Sequence, residues 1–203
     1  MTEIKWRALL VATGVTQATA QKWAPIFESE MRDEAFSSGS REWPDFLATI
    51  LHESAMLEKL EEDLYYKTPG RITETWPTRF KSLADEAPYL RNPQKLANHV
   101  YGGRMGNVGP DDGWRNRGSG LIQITGADNL RAIQKATGIP VFDNPDLLRQ
   151  PTRECLRCCI AWWYGKIPDA ILGNTRAIRK RVNGGYTGLE HVRVLADKLR
   201  KVF

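Results

Sequence analysis

The chain is poor in the residues that build disulfide frameworks and metal sites. Its three cysteines, Cys155, Cys158 and Cys159, crowd into one short segment. An odd, clustered set is no disulfide framework and fits a reducing compartment. At i, i+3 and i+4 of a helical segment they read as buried apolar side chains; a zinc site would need a fourth ligand and a second pair. The three histidines, His52, His99 and His191, share no ligand spacing. His52-Glu53 starts like a zincin helix, but Met56 stands where the second His belongs. No metal or other cofactor is expected. Long apolar runs are also missing. The longest nearly apolar stretch, Ala8 to Val15, falls far short of the ~20 residues that span a bilayer. The polar run from Thr16 to Lys22 follows it, with no small-residue cleavage pattern, which argues against a signal peptide. Walker loops, dinucleotide fingerprints, nucleophile elbows, repeats and low-complexity segments are all lacking.

What is present is an ordinary soluble composition. The 203 residues are 41% hydrophobic and 26% charged, which suits a single domain over 1–203 with room for two lobes. Lys and Arg number 29 against 24 Asp and Glu, a formal net charge of +5. That balance favours polyanionic partners. Basic residues cluster at Arg176, Arg179, Lys180 and Arg181, and again at Lys198, Arg200 and Lys201. No recognition motif accompanies them, so they read as solvated helix faces and no nucleic-acid partner is expected.

The reading along the chain is mainly α. Thr16 caps a helix, with Val15 as a staple. Pro44 opens a second helix in its first turn, and Phe46, Leu47, Ile50 and Leu51 give it a buried face. Asn92-Pro93 starts another, stopped by Gly102-Gly103. The stretch from Gly102 to Gly120 is irregular. Leu121 to Thr125 reads as a short extended piece, with Thr125 capping a helix to Thr137. Asn144-Pro145 and Pro151-Thr152 open further helices. Thr175 caps a basic segment that Asn183-Gly184-Gly185 breaks. Leu189 to Val202 forms a last amphipathic helix. Its stripe of Leu189, Val192, Leu195, Leu199 and Val202 packs on the core; with its basic side it also permits contact with an outer membrane, though not insertion.

The chemistry-bearing candidates are carboxylates. Glu53 ends the buried helix and Glu62 follows nine residues later. In one continuous helix that interval rises about 13.5 Å and turns about two and a half times, so the two would face opposite sides. If they cooperate, the chain must bend between Ala55 and Glu61. Cooperating carboxylates are what glycoside hydrolysis requires, one as acid and one as base. Taken alone, Glu61-Glu62-Asp63 also reads as a solvated acidic turn.

Together the segments FLATILHES (46–54), LEEDLYY (60–66), WPTRF (76–80), LANHVYGGRMGN (96–107), GWRNRGSGLIQITGADN (113–129) and VNGG (182–185) resemble glycoside hydrolase family 19. This is the chitinase-like group that includes many phage endolysins. The resemblance runs from about Trp43 to Gly185, in order and spacing. It implies a lysozyme-like, two-lobed α-rich fold with a small β element and a substrate cleft. It implies an inverting mechanism, with Glu53 as general acid, Glu62 as general base and Thr125 positioning the water. Gln123 would contact substrate; Asn129 and Asn183 match residues that bind sugar or orient the carboxylates. His52 would support the acid, and Tyr101, Trp114 and Arg117 would line the cleft. An acid of this kind needs an apolar pocket, which Phe46 to Leu51 would supply, and the carboxyls should stand about 6.5–9.5 Å apart. The chain departs from the pattern at Ala55 and Met56, which replace two glycines, at Asp63 for a frequent Asn, and at Ser119 for a frequent Arg.

Family members cut chitin or the sugar backbone of peptidoglycan. The basic charge, the lack of a signal peptide and the lack of a paired-cysteine chitin-binding domain favour peptidoglycan. The expectation is a monomeric endolysin, made in the host cytoplasm and reaching the wall and periplasm through a holin. Alternatives are a chitinase, a lytic transglycosylase needing no water-activating carboxylate, and a non-catalytic wall-binding protein.

Overall fold

Oxygen-bearing side chains cap five of the eleven α-helices among the described residues: Thr16, Ser82, Asn92, Thr152 and Asn174. A computed structural model describes residues 5–203. Helices α1 (Trp6–Thr13) and α2 (Gln17–Glu30) meet at Gly14, and the Thr16 hydroxyl accepts the Thr19 N–H at 3.2 Å. Helix α3 (Trp43–Glu53) carries Pro44 in its first turn and is buried from Trp43 through Leu51. Short helices α4 (Arg71–Thr75) and α5 (Leu83–Glu86) precede α6 (Pro93–Tyr101) and α7 (Asp112–Arg115). Then follow α8 (Ala127–Thr137), α9 (Arg153–Lys166), α10 (Thr175–Asn183) and α11 (Leu189–Leu199). None of the described helices is long and apolar enough to cross a membrane.

Several local expectations change in detail. Thr125 does not cap α8: Gly126 holds the cap position, and the Thr125 hydroxyl donates to the Gln123 carbonyl at 3.0 Å. Asn174, not Thr175, caps α10 by accepting the Ala177 N–H at 3.0 Å. Both threonines lie close to a helix start, but capping needs the non-helical backbone of the flanking residue. Asn144-Pro145 opens only a 3₁₀ turn, Pro145–Arg149. Leu121 to Thr125 is a tight reversal rather than an extended piece: Ser119 and Ile124 exchange backbone hydrogen bonds of 3.1 and 2.8 Å, and Gln123 sits at φ 55°. The bridges Glu61–Ser119 and Ser119–Ile124 are the β structure present among the described residues.

Two apolar clusters form. The large one joins α1, α2, α3, α9 and α11 through Leu10, Trp23, Phe27, Phe46, Trp163 and Leu195, and contains all three cysteines. The small one gathers Leu64, Ile72, Phe80, Leu96, Ala97 and Val100, with Tyr101 and Trp114 at its edge. Close approach of α7 to α6 depends on Gly113, where a Cβ would come within 2.5 Å of the Ala97 carbonyl oxygen. Buried acids are satisfied: Glu42 accepts from Trp163 Nε1 at 2.6 Å and the Ser38 N–H at 2.7 Å. Asp45 takes the Gly173 N–H and Arg200, which ties the end of α11 to α3. Burial, outweighing these partners, moves the Asp45 carboxyl above its usual range.

The required bend lies directly after α3. Ala55, Met56 and Leu57 adopt φ of 48°, 61° and 69°. Ser54 locks the turn: its hydroxyl donates to the Ile50 carbonyl at 2.6 Å and accepts the Leu57 N–H at 2.9 Å. Left-handed backbone costs a non-glycine residue roughly 1–2 kcal/mol, whereas a glycine costs about 0.4–1 kcal/mol through the freer unfolded chain. Ala55 is exposed, so replacing it forfeits no packing. Ala55→Gly is therefore expected to raise stability by about 0.5–1 kcal/mol, read as a higher urea midpoint. A lower midpoint would show that the turn carries no strain.

Candidate active site

The site begins at the last residue of α3. The Glu53 side chain is 19% exposed and its Oε1 accepts from Arg179 Nη1. Arg179 is buried and also donates from Nε to the Thr187 carbonyl at 2.6 Å. The apolar pocket expected around Glu53 is thus not what α3 provides. Phe46, Leu47, Ile50 and Leu51 turn into the core, and the carboxylate meets a guanidinium instead. The basic cluster on α10 is also more than a solvated face. Arg176, Arg179 and Asn183 fall at i, i+3 and i+7, one side of the helix, and the middle one is buried against Glu53. Asn183 is exposed at the end of α10. Arg176 lies with its guanidinium 3.9 Å from the ring centre of the partly exposed Tyr186 and has no carboxylate partner among the described residues. His52, beside Glu53, is half-buried; its Nδ1 is 2.9 Å from Nδ1 of His191 on α11.

Beyond the turn, the chain returns along the strand-like segment that carries Glu62. The Glu62 N–H donates to the Gly118 carbonyl at 2.9 Å, and the Gly118 N–H returns a bond of 3.1 Å to Glu62 Oε2. The Tyr101 hydroxyl donates to Oε1 at 2.6 Å. Burial first, and the adjacent Glu62 charge second, push the Tyr101 hydroxyl well above its usual range, so it remains a donor. Glu62 is therefore held by neutral donors, and Glu53 by a cation.

The neighbouring loop supplies the other residues named from sequence. Gln123 approaches the same glycine: a Cβ on Gly118 would lie 2.7 Å from Gln123 Oε1 and 3.2 Å from Glu62 Oε2. Thr125 bonds to the Gln123 carbonyl, and Asn129 Nδ2 donates to the Thr125 carbonyl at 2.8 Å. Gln123, Thr125 and Asn129 thus form one connected run beside Glu62. Trp114 lines a hollow of about 350 Å³ with Glu61, Glu62, Asp63 and Tyr65. Arg117 is buried rather than free: it stacks 3.6 Å from the Trp114 ring centre and pairs with Glu61. Arg149 reaches in from the 3₁₀ turn, donating from Nε to the Ser119 hydroxyl at 2.9 Å and from Nη2 to the Arg115 carbonyl at 2.8 Å.

Sequence reasoning missed Arg179, Arg149 and His191. The spacing of Arg179 four residues before Asn183 was the available sign for the first. Nothing local marks the other two.

No family model matches the chain. A Haemophilus influenzae protein described as a glycosyl hydrolase family 19 domain-containing protein is 33% identical to it over 148 residues, 71% of this chain and 72% of that protein.

The Arg179 pair yields a stability test. Arg179→Leu strands the part-buried Glu53 carboxylate and the Thr187 carbonyl, and should cost about 2–3 kcal/mol after allowance for the exposure of Glu53. Glu53→Gln added to Arg179→Leu should recover part of that loss. Urea unfolding of the two single variants and the double variant measures both; strict additivity would mean the pair carries no coupling.

Proposed function

The chain belongs to glycosyl hydrolase family 19, and from that premise we propose that it hydrolyses the β-1,4-glycosidic bonds of bacterial peptidoglycan as a phage-type endolysin. The observation that carries the reading is the pair of unlike carboxylates at the two ends of the left-handed turn. Glu53 is engaged on Oε1 by Arg179, which leaves Oε2 for the leaving oxygen of the sugar. Glu62 is kept by Tyr101 and Gly118 beside the run of Gln123, Thr125 and Asn129.

In this mechanism Glu53 transfers its proton from Oε2 to the glycosidic oxygen as the bond to the anomeric carbon breaks. A water held between Glu62 and the Thr125 hydroxyl attacks the opposite face and gives its proton to Glu62. The product carries the inverted anomeric configuration. Peptidoglycan is favoured over chitin by charge. Its stem peptides carry carboxylates, whereas chitin is neutral. Arg176, without a carboxylate partner among the described residues and one turn before Arg179 on the same side of α10, offers a guanidinium to such a group, with Tyr186 beneath it for a sugar face.

Digestion of purified sacculi by wild type, Glu53→Gln and Glu62→Gln tests this. Each substitution should lower the rate at least about a hundredfold, with unchanged circular dichroism. The wild-type products should carry free reducing ends, with inversion seen by proton NMR. Anhydro ends together with an active Glu62→Gln would indicate a transglycosylase and sink the inverting scheme. Release from chitin alone would move the substrate to poly-N-acetylglucosamine. Arg176→Gln should raise KM several-fold for peptidoglycan fragments and leave chitin oligosaccharides unaffected; equal effects on both would remove the charge argument.

A further inference from the structure

We propose that His191 is a positioning residue for Glu53, acting through His52, and that this histidine pair sets the acid limit of activity. The proposal rests on the reading of Glu53 as the acid. His191 lies on α11, outside the segments that carry the family resemblance. The two Nδ1 atoms are 2.9 Å apart, and the rings cross at 61° with centroids 5.2 Å apart. A nitrogen-to-nitrogen hydrogen bond needs one ring to donate and the other to accept. The bond therefore requires a proton on one Nδ1 and none on the other.

The pair is built into the acid's support. Gly188 sits at φ +76°, and a Cβ there would lie 2.2 Å from His52 Nε2. The His52 ring is thus packed against the loop that leads into α11. In the same loop, the Thr187 carbonyl holds Arg179, and Arg179 holds Glu53. His191, His52, the 186–188 loop and Arg179 form one connected run that ends on the carboxylate. The charged groups facing His52 are Glu53 from α3, Arg179 from α10 and His191 from α11.

The sign follows from proton counting. With both rings neutral, one Nδ1–H spans the gap. A first added proton leaves the bond intact, because the cationic ring donates and the other accepts. A second proton puts N–H groups on both sides and breaks it. Burial, then Arg179 and His191, outweigh Glu53 and lower His52 from its usual 6.5. The second proton therefore arrives only on the acid side of that value. Two imidazolium rings then stand with Arg179 against one carboxylate, and the 186–188 loop is pushed off α3.

Two variants of the full chain separate positioning from bulk. His191→Phe keeps a ring and removes the bond; His191→Asn places an amide where Nδ1 was and does not titrate. On purified sacculi, His191→Phe should lower kcat roughly tenfold at neutral pH with KM unchanged, the loss of about one hydrogen bond's worth of orientation. His191→Asn should return kcat to within about twofold of wild type and move the acid limb to lower pH. Imidazole NMR of the wild type, which needs no variant to fold, should show the Nδ1–Nδ1 hydrogen bond at neutral pH and its loss as His52 gains a proton on the acid side of its usual value. A wild type without the Nδ1–Nδ1 hydrogen bond at neutral pH would overturn the proposal, as would an unchanged kcat and acid limb in His191→Phe. If that happens while Glu53→Gln is inactive, only the histidine inference fails. A fully active Glu53→Gln would bring down the reading beneath it.

Discussion

Three consecutive residues in left-handed backbone cannot continue a right-handed helix, and the site is organised around that stop. Ala55, Met56 and Leu57 end α3 directly after Glu53 and send the chain back. Without the turn, Glu53 and Glu62 would ride opposite sides of one helix. With it, one carboxylate stays on the large apolar cluster while the other is carried to the edge of the small one. The turn has no glycine to relax it. Its strain is held by Ser54, which bonds backward to Ile50 and forward to Leu57, and by Leu57, which is buried in the large cluster. Local strain of this kind persists where surrounding packing over-determines it.

Much of the helical framework was legible because its determinants are local. Thr16, Pro44 and Asn92-Pro93 act through bonds or φ restrictions within four residues, and the structure puts helix starts at each. The need for a bend was legible from helix geometry alone. Thr125 and Thr175 misled because residue type and nearness to a helix do not fix which residue has capping backbone. In both cases the neighbour one position away occupies the cap. Which group each site cation would meet was illegible for a different reason. Arg179 meets Glu53 across 126 positions and Arg149 meets Ser119 across 30. No periodicity connects them; only the packed fold does.

Ser119 illustrates how a local departure is absorbed at a distance. The family pattern often has an arginine there, and this chain has a hydroxyl. A guanidinium reaches this position from Arg149, which binds the Ser119 hydroxyl and the Arg115 carbonyl. Ser119 is the middle member of the bridges linking Glu61, Ser119 and Ile124. Arg149 therefore braces the segment that presents Glu62 without touching Glu62 itself. Nearby, Arg117 is neutralised by Glu61. The Glu62 side thus has Arg117 and Arg149 already paired, which leaves Glu62 to neutral donors.

That asymmetry bears on how two carboxylates divide the work. Environment, not residue type, assigns acid and base roles. An apolar pocket is one way to keep an acid protonated, and α3 does not supply it. Here the neighbour of Glu53, the proposed acid, is a cation with a second acceptor, the Thr187 carbonyl. A guanidinium presents several N–H groups in a fixed fork, so Arg179 keeps its place through Thr187 while its bond to Glu53 changes. The carboxyl can then carry a proton on Oε2 without the cation collapsing into the site, and after transfer the new carboxylate finds Arg179 already aimed at it. In the proposed mechanism Arg179 thereby stabilises the charge created on Glu53, provided the 186–188 loop holds still.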